Sequence, residues 1–146
     1  MRVLNTVIYT DKLSEVRAFY EKHFVFPSDT GEPNSYGILP FPEAKVTFID
    51  SAAAGIAPSQ NILLRLGLPF PLIERARLIA EGVACGELTM ADWGSFYGTK
   101  VQYFTIIDPS GASIQLFEDH FGEDKQLMTT GDGTGTRKVQ ERNSQS

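Results

Sequence analysis

One order of secondary structure, a strand, a helix and three further strands, occurs twice along this sequence. In the first half, the alternation of residues 2–9 predicts a strand, and Asp11 is placed to cap the helix that follows it. The residues at helical spacing in that helix are Leu13, Val16, Phe19, Tyr20 and His23. Three short strands are predicted to follow, at residues 24–26, 36–39 and 45–49.

The second half repeats this order after a connector of small residues at positions 51–58. A strand is predicted at residues 60–66, and the helix after it has Pro71 in its first turn and Gly82 at its end. The apolar stripe of this helix comprises Leu72, Ile73, Ala76, Ile79, Ala80 and Val83. Three strands complete the half, at residues 87–90, 100–107 and 112–117.

Each half alone would leave one face of its sheet uncovered. We therefore predict an α+β fold in which two β-α-β-β-β modules, at residues 1–50 and 59–120, pair their sheets into one cupped mixed sheet. The chain has 146 residues, 42% of them hydrophobic, which is enough for one such unit. Residues 121–146 lack periodicity, so we expect a flexible C-terminal tail there.

A tight turn before the last strand decides which side chains share a face of that strand. Asp108, Pro109 and Gly111 stand at the first, second and fourth places of a type I turn, which predicts a hairpin. Alternation along the strand then places Gln115 and Phe117 on the same face. Gln115 is thus the polar centre of a surface whose opposite side is apolar.

Charge and composition exclude several classes of partner. The formal net charge of -5 offers no basic surface for nucleic acid. The sequence has no apolar run of about 18 residues or more and no charged-then-apolar leader at Met1, so we expect a cytoplasmic protein that does not contact membranes. Cys85 is the single cysteine, which excludes an intramolecular disulfide.

Together with the repeated order of elements, three short motifs resemble those of the vicinal oxygen chelate superfamily. They are Phe19-Tyr20 late in the first helix, Trp93-Gly94 in a long loop, and Asp108-Pro109-Ser110-Gly111 before the last strand. The superfamily includes glyoxalase I, extradiol dioxygenases, fosfomycin-resistance thiol transferases and bleomycin-resistance binding proteins. The resemblance covers residues 2–118 and implies the paired-module fold.

The resemblance also implies where a metal-using member would hold its ion. The ligands there are a His on the first strand, a His on the strand that opens the second half and a Glu on the last strand. Counting from the Phe-Tyr pair places Asn5 at the first position; counting from Asp11 places Leu4 there, and strand alternation favours Asn5. Asn61 and Gln115 fall at the other two positions.

Three neutral amides supply no anionic ligand to offset the charge of a metal ion, so the sequence predicts no metal and no cofactor. Asn and Gln each present a donor and an acceptor, which suits them to orient a polar organic ligand. We expect the aromatic walls of that ligand site at Tyr36, Phe48, Trp93, Tyr97, Tyr103 and Phe117. In a competing interpretation the amides hydrogen-bond one another and fill the cup.

The predicted function is metal-independent binding of a small organic molecule by a homodimer, because clefts in this superfamily are often completed by paired chains. One alternative is a metal-dependent glyoxalase-like lyase or isomerase, thiol transferase or dioxygenase with ligands in another register. A second alternative is a dimeric interaction module with a filled cup. The residues identify no catalytic group, and the connector permits the halves to pair within one chain or between two.

Overall fold

The computed structural model of the chain describes residues 1–26, 28–29, 32–38, 45–92 and 100–119. The elements of the first half are β1 (Thr6–Thr10), α1 (Leu13–His23), β2 (Ser28–Asp29), β3 (Ser35–Ile38) and β4 (Val46–Asp50). The remaining elements are α2 (Ser51–Ala54), β5 (Leu63–Leu68), α3 (Pro71–Ala80), β6 (Thr89–Asp92), β7 (Lys100–Ile107) and β8 (Ser113–Glu118).

The strands form two four-stranded sheets with the same topology. The first sheet has the order β1-β4-β3-β2 and the second has the order β5-β8-β7-β6. In each sheet the opening strand pairs in parallel with the last strand, and the other neighbours are antiparallel. The predicted α+β fold with two β-α-β-β-β units is therefore confirmed, and the units form two separate four-stranded sheets rather than one.

The cores of the two sheets share packing partners on the sides that the helices cover. The core of the first sheet contains Ile8, Val16, Tyr20, Tyr36, Ile38, Val46 and Phe48. The core of the second sheet contains Leu66, Leu78, Phe104, Ile106, Ala112, Ile114 and Leu116. Both cores pack against the same partly buried residues, namely Phe19, Phe24, Phe26, Ile62 and Leu64. Each sheet thus has a second face, directed away from this shared core, which we call its open face.

The predicted tight turn is present and links the two halves. Gly111 N donates to Asp108 O at 2.9 Å, and Gly111 has a φ of 91°, which glycine adopts without strain. The buried Asp108 carboxylate accepts hydrogen bonds from Ser110 N at 2.8 Å and Ala112 N at 3.2 Å. It also accepts one from the Tyr20 hydroxyl of α1 at 2.7 Å. Burial, and after it the Asp108 carboxylate, raises the pKa of Tyr20 above its ordinary value.

The structure corrects the prediction of a strand at residues 24–26. The rings of Phe24 and Phe26 stack with their centroids 5.4 Å apart in the shared core, and the short strand β2 comes later. The connector also differs from the prediction, because it contains the helix α2. The Asp50 carboxylate accepts a hydrogen bond from Ala53 N at 3.2 Å and so caps that helix.

The ends of the two longer helices show one correction and one agreement. Asp11 does not cap α1; the N-cap residue is Lys12, and its N–H donates to Thr10 Oγ1 at 3.0 Å. In the second half, α3 ends at Ala80, and Gly82 follows with a φ of 89°. Gly82 therefore ends its helix as predicted.

Two sets of predictions lie outside the described residues. They concern Trp93 and Tyr97 in the long loop, and the C-terminal tail at residues 121–146. Among the helices of the described ranges, none combines the length and the apolar character that crossing a membrane requires.

Candidate functional site

The open face of the second sheet carries a guanidinium group and two stacked aromatic rings. In the register of the sheet, Arg65 lies opposite Gln115, and Tyr103 lies opposite Phe117. The rings of Tyr103 and Phe117 stack at a centroid distance of 4.7 Å and an interplanar angle of 10°. The Arg65 guanidinium carbon lies 5.2 Å from the centroid of the Phe117 ring. We call these four residues the aromatic face.

Arg65 fixes the orientation of the Gln115 amide. Arg65 Nε donates to Gln115 Oε1 at 2.9 Å. Because Oε1 is engaged as an acceptor, the Nε2 group of Gln115 is directed to the other side and offers N–H donors. Phe117 is only 8% exposed, whereas Arg65 is exposed and Gln115 is half-buried. The aromatic face therefore combines a flat apolar surface with donors at its edge.

Gly67 allows an acidic residue to lie beside the aromatic face. It stands opposite Phe117 in the register of β5 and β8. A Cβ atom at Gly67 would lie 2.5 Å from Oδ2 and 2.8 Å from Cβ of Asp119, distances that no real Cβ tolerates. Asp119 N also donates to Leu68 O at 2.8 Å. The missing side chain at Gly67 thus gives the Asp119 carboxylate its place over β5.

The open face of the first sheet carries a smaller polar pair. Asn5 Nδ2 donates to Thr47 Oγ1 at 3.1 Å, which leaves Asn5 Oδ1 as an acceptor. Val7 lies opposite Thr47, and Tyr9 lies opposite Ile49. Val7 is exposed, and Tyr9 and Ile49 are half-buried. We call these five residues the first-sheet face; its polar pair is surrounded by largely apolar side chains.

Among the described residues, no hydrogen bond joins any two of the predicted amides Asn5, Asn61 and Gln115. Asn61 is exposed and lies before β5 with a φ of 56°, a left-handed conformation that asparagine adopts more readily than most residues. The β5 residue that faces Gln115 is Arg65, four positions later. Asn61, the position that the resemblance implied, therefore lies outside β5.

The predicted aromatic walls divide between the two sides of the sheets. Tyr103 and Phe117 lie on the open face of the second sheet, as described above. Tyr36 and Phe48 are almost fully buried and pack against α1 in the first core. In the register of the first sheet, Phe48 lies opposite both Tyr36 and the core residue Ile8. Residues opposite each other share a face, so both rings point to the helix side of the sheet. These two rings therefore belong to the core and do not line a cup.

Two residues of the open faces, Arg65 and Thr47, were not among the predicted site residues. Arg65 is the only charged residue in the otherwise apolar strand β5, which is a signal that could have identified it. Thr47 stands between two core residues of β4, Val46 and Phe48, so alternation alone directs it to the open face.

The resemblance stated above implies a metal held by imidazole and carboxylate groups, and the side chains present do not fit that ion. No three His, Cys, Asp or Glu side chains converge within the described residues. The positions concerned hold Asn5, Asn61 and Gln115, which are uncharged. The Arg65 guanidinium, bonded to Gln115, further disfavours a cation there.

Comparison with solved structures agrees with this topology. A glyoxalase/bleomycin resistance protein/dioxygenase from Nocardioides matches with a TM-score of 0.60 at 14% sequence identity, covering 80% of this chain and 83% of that chain. This chain has the vicinal oxygen chelate fold. A lactoylglutathione lyase from Agrobacterium tumefaciens has the same fold, with a TM-score of 0.60 at 16% identity, covering 79% of this chain and 91% of its own.

A third structure with the vicinal oxygen chelate fold is TnmS3, an antibiotic-binding protein from a Streptomyces species. Its TM-score is 0.61 at 20% identity, and the match covers 80% of this chain and 93% of TnmS3. No protein-family model and no curated protein matches the sequence. At these identities the likeness establishes the fold alone, because one fold hosts many chemistries.

Proposed function

We propose that this protein binds a small organic molecule on its open sheet faces without a metal ion. The observation that carries this proposal is the Arg65–Gln115 hydrogen bond beside the stacked rings of Tyr103 and Phe117. A flat apolar surface with a few directed donors at its edge is typical of small-molecule sites. No group of the aromatic face needs to change its protonation state to hold a ligand there.

The donors of the aromatic face favour a planar ligand that carries hydrogen-bond acceptors. Gln115 Nε2 donates, and a ring of the ligand can stack on the exposed part of Tyr103. Carbonyl groups on an aromatic or heteroaromatic body match this arrangement. The name of TnmS3, an antibiotic-binding protein with the same fold, supports a binding function.

We further propose that two copies of the chain enclose the ligand, so that the first-sheet face of one copy covers the aromatic face of the other. Both open faces expose apolar side chains that an isolated chain has no reason to present to water. On the second sheet, Leu63 is 50% exposed and Ile107 is 58% exposed, and both flank Ser113 of β8. Val7 of the first sheet is exposed as well.

Sedimentation of the full chain tests the dimer. We expect a dimer that Leu63→Glu converts to a monomer, because the new carboxylate would be buried against an apolar surface. A wild-type monomer at high protein concentration would contradict the shared site.

We also propose that the protein is located in the cytoplasm.

A thermal-shift screen of planar aromatic carbonyl compounds tests the binding function. A ligand at a hundredfold its dissociation constant should stabilise the protein by roughly 2.7 kcal/mol. Gln115→Ala, with an affinity about tenfold weaker, should lose about half of this stabilisation. Gln102→Ala is the matched control, because Gln102 lies on β7 with the parity of the core residue Phe104, away from the open face.

If no compound in the screen stabilised the protein, the binding function would be contradicted. That result would favour an interaction module with a filled cup. Equal losses in Gln115→Ala and Gln102→Ala would place the ligand elsewhere than on the aromatic face.

A further inference from the structure

A cavity lies on the helix side of the second sheet. Its volume is about 500 Å³, within the range of small-molecule pockets. Leu66 of β5 and Leu116 of β8 line it. Both alternate along their strands with Arg65 and Gln115, which point to the open face. The sheet itself therefore separates this cavity from the proposed ligand site.

Helix α3 packs the fully buried Leu78 into the second core, and charged side chains beside it line the cavity. Glu74, Arg77 and Glu81 line the cavity. In contrast, Leu72 is 59% exposed and Ile73 is 67% exposed. Charged groups that line a cavity need partners.

The charged side chains form one connected network along the wall of the cavity. The buried His23 of α1 shares a hydrogen bond of 2.8 Å between its Nδ1 and Glu81 Oε1. Arg77 Nη1 donates to Glu81 Oε2 at 2.8 Å, and Arg77 Nε donates to Glu74 Oε1 at 3.2 Å. Arg77 Nη2 donates to the backbone oxygen of His23 at 2.7 Å and also to Glu74 Oε2.

This network has acceptors to spare and few donors. Each carboxylate oxygen of Glu74 and Glu81 accepts one of these bonds, although such an oxygen has about two lone pairs that can accept. Arg77 already directs most of the N–H donors of its guanidinium to these partners. A ligand that joins this wall must therefore donate hydrogen bonds.

The charge and the floor of the cavity complete the description of its ligand. The charged lining residues besides His23 are Glu21, Glu74 and Glu81 against Lys22 and Arg77, so acids outnumber bases. The hydrogen bond from His23 lowers the pKa of Glu81, which keeps that carboxylate ionised. The apolar lining consists of Phe24, Val25, Phe26, Leu66, Leu68 and Leu116.

We propose that this cavity is a second binding site, which takes a small organic ammonium ion with an apolar body. The ammonium group donates to the spare lone pairs of Glu74 and Glu81, and the apolar body packs on the leucine and phenylalanine side chains. This site is independent of the aromatic face and of the function proposed for it.

An NMR titration of the full chain with benzylammonium tests the proposal, with benzyl alcohol as a neutral probe of similar size. We expect saturable shifts at the backbone amides of Leu68 and Glu81. We expect benzylammonium to bind about tenfold more tightly than the alcohol, because only the ion makes charge-assisted hydrogen bonds. Equal affinities, or no shifts at these residues, would overturn the proposal.

Two variants locate the bound probe. Leu68→Trp fills the cavity without removing a charge and should weaken benzylammonium binding about tenfold. Met90→Trp, on the exposed edge strand β6, is the control and should leave the affinity unchanged. If Leu68→Trp does not fold, Glu81→Gln takes its place and should weaken binding to a similar extent. Unchanged affinity in the folded variant would overturn the proposal.

Gln115→Ala separates this proposal from the proposed function. We expect it to leave benzylammonium binding unchanged, because Gln115 lies on the other side of the sheet. A loss of benzylammonium binding in Gln115→Ala would show that the ion occupies the aromatic face instead and would overturn the second site.

Discussion

The two sheets share one strand order, yet their open faces carry different chemistry. The first-sheet face holds one neutral polar pair, Asn5 and Thr47, among largely apolar residues. The aromatic face holds a guanidinium, an amide and two stacked rings that contact one another. Topology thus fixes where side chains can meet, and the side chains decide what they can bind. If this contrast is correct, changes on the two faces should have unequal effects.

The two faces should differ most in the free energy of unfolding that is lost when one apolar side chain is truncated on each. Phe117→Ala should lower the free energy of unfolding by about 3 kcal/mol, because Phe117 is nearly buried and stacks on Tyr103. Ile49→Ala, at a half-buried position of the first-sheet face, should cost about 1 kcal/mol. Urea unfolding of both variants measures this. Equal losses would remove the contrast between the faces.

A second comparison concerns Asp108, which joins the first half to the second. Asp108→Asn should lower the free energy of unfolding by about 2 kcal/mol, because the carboxylate accepts a buried hydrogen bond from Tyr20. Tyr20→Phe should cost somewhat less. The double variant should cost less than the sum of the two single changes, since both remove the same bond. Additive losses would show that the halves are not coupled there.

The same hydrogen bond predicts a pH dependence. Burial and the nearby Asp108 carboxylate raise the pKa of Tyr20 above its ordinary value of 10.0, so the folded chain keeps this proton where the unfolded chain loses it. The contribution of Tyr20 to stability is therefore complete below about pH 10 and falls above it, by up to about 1.4 kcal/mol per pH unit. Urea unfolding between pH 8 and 11 should show a steeper decline for the wild type than for Tyr20→Phe. Identical slopes would contradict the buried bond.

The smallest effect should come from the first-sheet face. Asn5→Ala should change the free energy of unfolding by less than about 0.5 kcal/mol, because Asn5 is exposed. In the proposed dimer Asn5 should still matter for binding, with a loss of about threefold in ligand affinity against about tenfold for Gln115→Ala. Calorimetric titration of both variants with a ligand from the screen measures the ratio. A larger loss for Asn5→Ala would reverse the roles assigned to the two faces.

The order of elements could be predicted because each signal is local. The Asp-Pro-Ser-Gly segment contains the whole chemistry of its turn, and Gly82 ends its helix by its own conformational freedom. The strand predicted at residues 24–26 failed for a nonlocal reason. Phe24 and Phe26 pack between both cores, and that tertiary packing outweighed their propensity to form a strand.

The site was only partly predictable, because alternation gives the face of a strand but not the position along it. Gln115 and Phe117 were placed correctly relative to each other. The resemblance put Asn61 at the second ligand position, whereas the register of β5 and β8 puts Arg65 opposite Gln115. Tyr36 and Phe48 show the second limit, since an aromatic ring suits a core as well as a ligand site.

Uncharged side chains and a guanidinium occupy the place where the resemblance implies a metal ion. The most direct test is native mass spectrometry of full-length protein purified without chelator and then titrated with nickel, manganese, iron and zinc. We expect no stoichiometric ion, and the affinity for an aromatic-face ligand should be the same before and after treatment with chelator. One tightly held ion per chain, lost in Gln115→Ala and required for ligand binding, would contradict the account.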